Sequence, residues 1–169
     1  LTNNHCIDST AETLSLQARF NYQKKNCSKN SPQETASNYY GSSLLISDVG
    51  LDYTLLTLQG NPETTWGEFT ATTVEPTAGS IMLFPQHPGG GLKKLGKFED
   101  KQQTILCDVT AVNQTFGGST ANSQFSYGCD SQGGSSGSPI LNTSFEVWGL
   151  HHFGGVTVAY NLDEPGAVP

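Results

Sequence analysis

Three side chains of the types that acyl transfer needs occur in this chain, in the order His5, Asp52, Ser136. Ser136 lies in Gly134-Ser135-Ser136-Gly137-Ser138-Pro139, just ahead of a short apolar run. A serine hydroxyl becomes a useful nucleophile only when a base takes its proton and fixed donors receive the developing oxyanion. The flanking glycines permit the tight turn and close backbone approach that such an anion pocket needs. His5 stands in Leu1-Thr2-Asn3-Asn4-His5-Cys6, and Asp52 heads the alternating run Leu51-Asp52-Tyr53-Thr54-Leu55-Leu56-Thr57-Leu58. Singly, each has an ordinary reading: a surface or core imidazole, a strand-edge turn acid, and loop filler. Together they supply the base, the orienting acid and the nucleophile of a catalytic triad.

These segments resemble those of chymotrypsin-like serine proteases. Thr2-Asn3-Asn4-His5-Cys6 is similar to their Thr-Ala-Ala-His-Cys motif, and Asp52-Tyr53-Thr54-Leu55-Leu56 to Asp-Ile-Ala-Leu-Leu. Gly134-Ser135-Ser136-Gly137-Ser138-Pro139 is similar to Gly-Asp-Ser-Gly-Gly-Pro. The Gly-Ser-Pro ending resembles the bacterial glutamyl and lysyl endopeptidase branches. Phe20-Asn21-Tyr22-Gln23 with Cys27, and Gln86-His87-Pro88-Gly89-Gly90, resemble the lysyl relatives. The resemblance covers nearly the whole chain. It implies an all-β protein of two antiparallel barrels, with the cleft between them, a peptide or protein substrate and no cofactor. It also implies that His5 serves as general base, that Asp52 holds the imidazole, and that the N–H groups of Gly134 and Ser136 receive the oxyanion. Ser135 departs from the pattern, because the chymotrypsin branch has there the acid that pairs with a new amino terminus on zymogen activation. Activation by that pairing is not expected.

The residues implied for the substrate pocket point in two directions. Asp130 lies six residues before Ser136, where trypsin resemblance puts the acid that binds Lys or Arg. His151 matches a pocket histidine of the glutamyl branch, and Asp163 falls where lysyl endopeptidases carry their pocket acid. Asp163 reads equally well as a turn residue beside Pro165-Gly166. A carboxylate favours a cationic side chain and a protonated histidine an anionic one, so the sequence leaves both open. His152 and His87 read as structural or surface residues.

Composition narrows the class. The chain has 169 residues, 15 acidic against 8 basic, and a formal net charge of −7, which argues against nucleic-acid binding through a basic face. No apolar run approaches the roughly 18 residues that span a bilayer. A monomer without membrane or nucleic-acid partners is expected. The four cysteines form no metal-ligand spacing, so disulfides in a secreted protein are the better reading. Cys107 and Cys129 flank one segment that ends before the nucleophile loop, and their pairing would brace the pocket wall. By the resemblance, Cys6 and Cys27 would seek partners upstream; pairing with each other is the fallback, and free thiols stay open. Asn26, Asn113 and Asn142 fit the glycosylation sequon.

The elements that must position these residues read as short strands between glycine- and proline-rich turns. The first half predicts strands over Leu14 to Tyr22, Tyr39 to Ile46 and Tyr53 to Leu58. The second predicts Ser80 to Phe84, Thr104 to Val112, Gln124 to Tyr127, Pro139 to Asn142, Glu146 to Leu150 and Val156 to Asn161. A helix over Ser9 to Leu16 is the one helical expectation. The division falls at 1–68, an amino-terminal barrel carrying His5 and Asp52, and 69–169, a second barrel carrying Ser136. The family has two strands before the His motif, so the first barrel is expected to be incomplete and the chain to be a fragment of a longer secreted precursor. The alternative to a secreted endopeptidase is an inactive, protease-like binding protein, since such folds also host non-enzymes.

Overall fold

The computed structural model describes residues 1–100, 102–116 and 119–154. It is mostly β. Helix α1 (Thr10–Ser15) starts where Ser9 caps the Glu12 N–H with its hydroxyl, while the Glu12 carboxylate accepts from Ser9 Oγ and from the Asp8 N–H. Leu16 turns extended and ends it, so the expected strand from Leu14 shortens to β1 (Gln17–Phe20). β2 (Ser37–Asp48) and β3 (Tyr53–Leu58) complete an antiparallel three-stranded meander, β1-β2-β3. β2 passes under α1 at Gly41, where a Cβ would lie 1.7 Å from the Thr13 carbonyl oxygen. A short helix, α2 (Glu63–Trp66), stacks Trp66 on Phe20, which meets Tyr39 edge-on.

The second half holds three hairpins: β4 (Phe84–Gln86) with β5 (Lys94–Gly96), β6 (Val109–Gln114) with β7 (Gln124–Tyr127), and β8 (Pro139–Leu141) with β9 (Val147–Leu150). Isolated bridges join them, Leu83 to Leu141, Ile81 to Asp108 and Ala71 to Val147. The core lies here: Met82, Phe84, Cys107, Cys129 and Ile140, with Phe125, Tyr127 and Trp148 packed against it. Cys107 and Cys129 form the disulfide.

Several expectations are corrected. Two closed barrels are not found among the described residues; the strands group into one three-stranded and three two-stranded sheets. The strand expected from Thr104 begins only at Val109. The Asp100 carboxylate accepts from the backbone N–H groups of Thr104 and Ile105 and from Thr104 Oγ1, so a side chain takes donors that a ladder would use. Cys6 and Cys27 are both exposed and unpaired, which removes the fallback disulfide. The expected strand at 156–161 lies outside the described residues.

Candidate active site

His5 and Asp52 are brought together by the first segment of chain pairing with β3. Thr2 and Thr54 exchange backbone hydrogen bonds of 2.9 and 2.7 Å, and Thr54 Oγ1 donates to the Ile7 carbonyl at 2.6 Å. The buried Asn3 amide donates to the Asp52 carbonyl at 2.9 Å. Asp52 occupies the left-handed region (φ 50°), which aspartate tolerates better than most side chains. In this geometry its carboxylate chelates His5: Oδ1 accepts the His5 backbone N–H at 2.9 Å and Oδ2 faces Nδ1 at 2.6 Å. A carboxylate only accepts, so His5 Nδ1 is the donor in this contact, and a neutral His5 then has its lone pair on Nε2.

A second imidazole shares that oxygen. His152 Nδ1 lies 3.2 Å from Asp52 Oδ2, although the sequence marks His152 as structural or surface. No spacing rule exposes this contact, because it joins the turn before β3 to the segment after β9. Cys6, the neighbour of His5, does not compete as a nucleophile. Desolvation, then the Asp52 charge, push its thiol above the ordinary pKa, so it stays protonated.

The Ser136 loop is set by backbone sterics. Gly134 has φ +96°, and a Cβ there would lie 2.7 Å from the Gly90 nitrogen and 3.2 Å from the His87 carbonyl. Gly137 has φ +82°, and a Cβ would lie 2.7 Å from Thr2 Oγ1, so the loop abuts the segment that carries His5. Its backbone is tied to the 151 segment by Gly137 N–H to the His151 carbonyl and His151 N–H to the Ser138 carbonyl, both 2.9 Å. Ser135 is fully buried and its hydroxyl donates to Gln86 Oε1 at 2.6 Å; the Gln86 amide in turn donates to the Asp130 carbonyl at 2.7 Å. A neutral Ser–Gln pair therefore fills the place of the acid that the sequence lacks. Ser136 is half-buried and its hydroxyl has no hydrogen-bond partner among the described residues.

Ser136 borders two cavities. One, of about 230 Å³, is walled by Ser131, Gln132, Gly133, His151, His152 and Gly154. Through His152 this cavity wall touches Asp52, and so His5. His151 is buried, with Tyr127 Oη against its Nδ1. Burial first, then the charges of His152 and His5, lower its pKa to about 4, while burial raises that of Tyr127. A neutral Tyr127 donates to Nδ1 and leaves the His151 N–H at Nε2, beside Gly154. Asp130 is exposed and is not among the residues that line these two cavities. Asp163 lies outside the described residues. Among the described residues no cluster of His, Cys, Asp and Glu is placed to hold a metal ion, and no helix is long and apolar enough to cross a membrane.

Residues 1–161 match the family described as lysyl endopeptidase, C-terminal domain. The chain is 35% identical over 162 residues to secreted RxLR effector protein 73 of Plasmopara viticola, covering 92% of this chain and 38% of that protein. It thus spans well under half the length of that curated relative. Among solved structures it is similar to Rv3671c from M. tuberculosis H37Rv, a serine-to-alanine mutant in an inactive form, with TM-score 0.51 and 14% identity over 72% of this chain and 60% of that one. A second Rv3671c protease structure, also an inactive form, gives TM-score 0.53 at 12% identity over 73% and 59%. These two likenesses establish a protease-like fold.

Proposed function

Given that the chain belongs to the lysyl endopeptidase C-terminal domain family, we propose that it is a secreted serine endopeptidase acting through Ser136, His5 and Asp52. The observation that carries this reading is the two-point clasp of Asp52 on His5, which leaves His5 Nε2 free as a base. Ser136 Oγ attacks the scissile carbonyl and gives its proton to His5 Nε2, and Asp52 stabilises the imidazolium. The oxyanion is received by the N–H groups of Gly134 and Ser136, neither of which is spent on a backbone partner among the described residues. His5 then protonates the leaving amine, and water attacks the acyl-enzyme by the same route in reverse. No hydrogen bond joins Ser136 to His5 among the described residues, and catalytic hydrogen bonds often tighten only when substrate is bound.

The residue before the cut is the finer question. The family is described by lysine, and resemblance puts a pocket acid at Asp163; the described wall supplies Ser131 and His151, donors for a side chain that accepts hydrogen bonds. A peptide library decides this: cleavage after Lys assigns the pocket to Asp163, and cleavage after Glu assigns it to His151. A second reading, an inactive protease-like effector, is favoured by the relative from Plasmopara viticola, which is described as an effector. A serine-directed fluorophosphonate separates the two. Labelling of the wild type that Ser136→Ala abolishes supports the enzyme, and absence of labelling in the folded wild type supports the effector.

A further inference from the structure

Ser136 and Gly134 also border a second cavity, of about 330 Å³. The two cavities share only Ser136 in their walls. An extended peptide passes the nucleophile once, so if one cavity receives the residue before the scissile bond, the other faces the residues after it. Its wall carries Lys93 and His87 over an apolar floor of Phe69, Pro85 and Pro139, and no acidic side chain lines it among the described residues. Lys93 is held at the rim by its backbone N–H, which donates to the Tyr22 carbonyl at 3.0 Å, and Tyr22 stacks on His87.

The local charge runs against the net charge of the molecule. In a chain of net charge −7 with 8 basic residues, three of them, Lys93, Lys94 and Lys97, fall within five positions on and beside β5. A basic rim on an acidic protein attracts an anionic group locally, against the repulsion of the net charge. Resting on the endopeptidase reading above, we propose that this cavity is a leaving-side subsite for a carboxylate one or two residues beyond the scissile bond. That carboxylate is either an acidic side chain or the C-terminal carboxylate of the leaving peptide. The apolar floor receives the stem and Lys93 pairs with the head.

The test uses the whole chain with Ser136→Ala, which binds without cutting, and fluorescent peptides that differ only after the scissile bond: Glu, Ala or Lys followed by an amide, and Ala followed by a free carboxylate. The Glu peptide should bind about fivefold tighter than the Ala peptide, as one partly exposed ion pair allows, with the Lys peptide weakest. Adding Lys93→Glu should reverse the order of Glu and Lys. Tight binding of the free-carboxylate peptide alone assigns the site to chain ends. Equal binding of all four peptides, an unchanged order in K93E, or no saturation by either acidic peptide up to about 1 mM overturns the subsite. The outcome is separate from the catalytic reading: wild type that labels with fluorophosphonate while Ser136→Ala shows no preference keeps the enzyme and loses the subsite, and the converse result keeps the subsite alone.

Discussion

The two halves of the site are built by different physics. Backbone bonds of Thr2 to Thr54 set the first segment, and side-chain hydrogen bonds then fix His5 on Asp52 at the end of an open three-stranded sheet, with the His5 side chain 46% exposed. The Ser136 loop is held by glycine conformations and backbone hydrogen bonds beside the buried core of the second half. A side-chain clasp can be retuned by one atom without moving the chain. A glycine turn tolerates no added atom where backbone lies within 3 Å. Substitution in the first half should therefore change chemistry with little loss of stability, and an added atom at a glycine of the Ser136 loop should change both.

The sharpest way to break this contrast is Asp52→Asn. An amide can donate to His5 Nδ1 and stabilise the wrong tautomer, so turnover should fall on the order of 10⁴-fold while the melting temperature stays within a few degrees. Gly134→Ala should lower turnover by about 10²–10³, through displacement of an oxyanion donor, and also cost about 1–3 kcal/mol in a denaturant melt. If it left stability unchanged, the steric account of the loop would be wrong. Ser135→Ala leaves Gln86 Oε1 buried without a donor, a cost of about 1–3 kcal/mol with only a modest change in turnover.

The effect that vanishes at neutral pH concerns acid stability. His151 has a folded pKa of about 4, below its ordinary 6.5, so the unfolded chain binds the extra proton first. The stability this contributes is complete above about pH 6.5 and is lost as the pH falls through 4, at most roughly 3 kcal/mol. In His151→Gln, melts should show a shallower decline across that window, and an unaltered slope would assign the acid sensitivity elsewhere.

The sequence made legible those elements around the candidate site that rest on local spacing. β3 follows from the alternation of Tyr53 to Leu58, and the helix expected over Ser9 to Leu16 is found as α1. The glycines around Ser136 announce a turn that only they can make. What stayed hidden depends on contacts between distant segments. The His152–Asp52 contact spans 100 residues, and Ser135 meets Gln86 across 49. Asp130 has the right separation from Ser136, yet its side chain faces solvent while its carbonyl accepts from Gln86. Separation along a loop sets which residue arrives, and the direction of its side chain is set by partners the loop does not contain.

The central claim is that His5, oriented by Asp52, activates Ser136. Fluorophosphonate labelling of folded wild-type protein, with the adduct located by mass spectrometry, tests it most directly. The account predicts a single adduct on Ser136, labelling slowed by orders of magnitude in His5→Ala, and none in Ser136→Ala. An adduct on another residue, or equal labelling rates for wild type and His5→Ala, would contradict it.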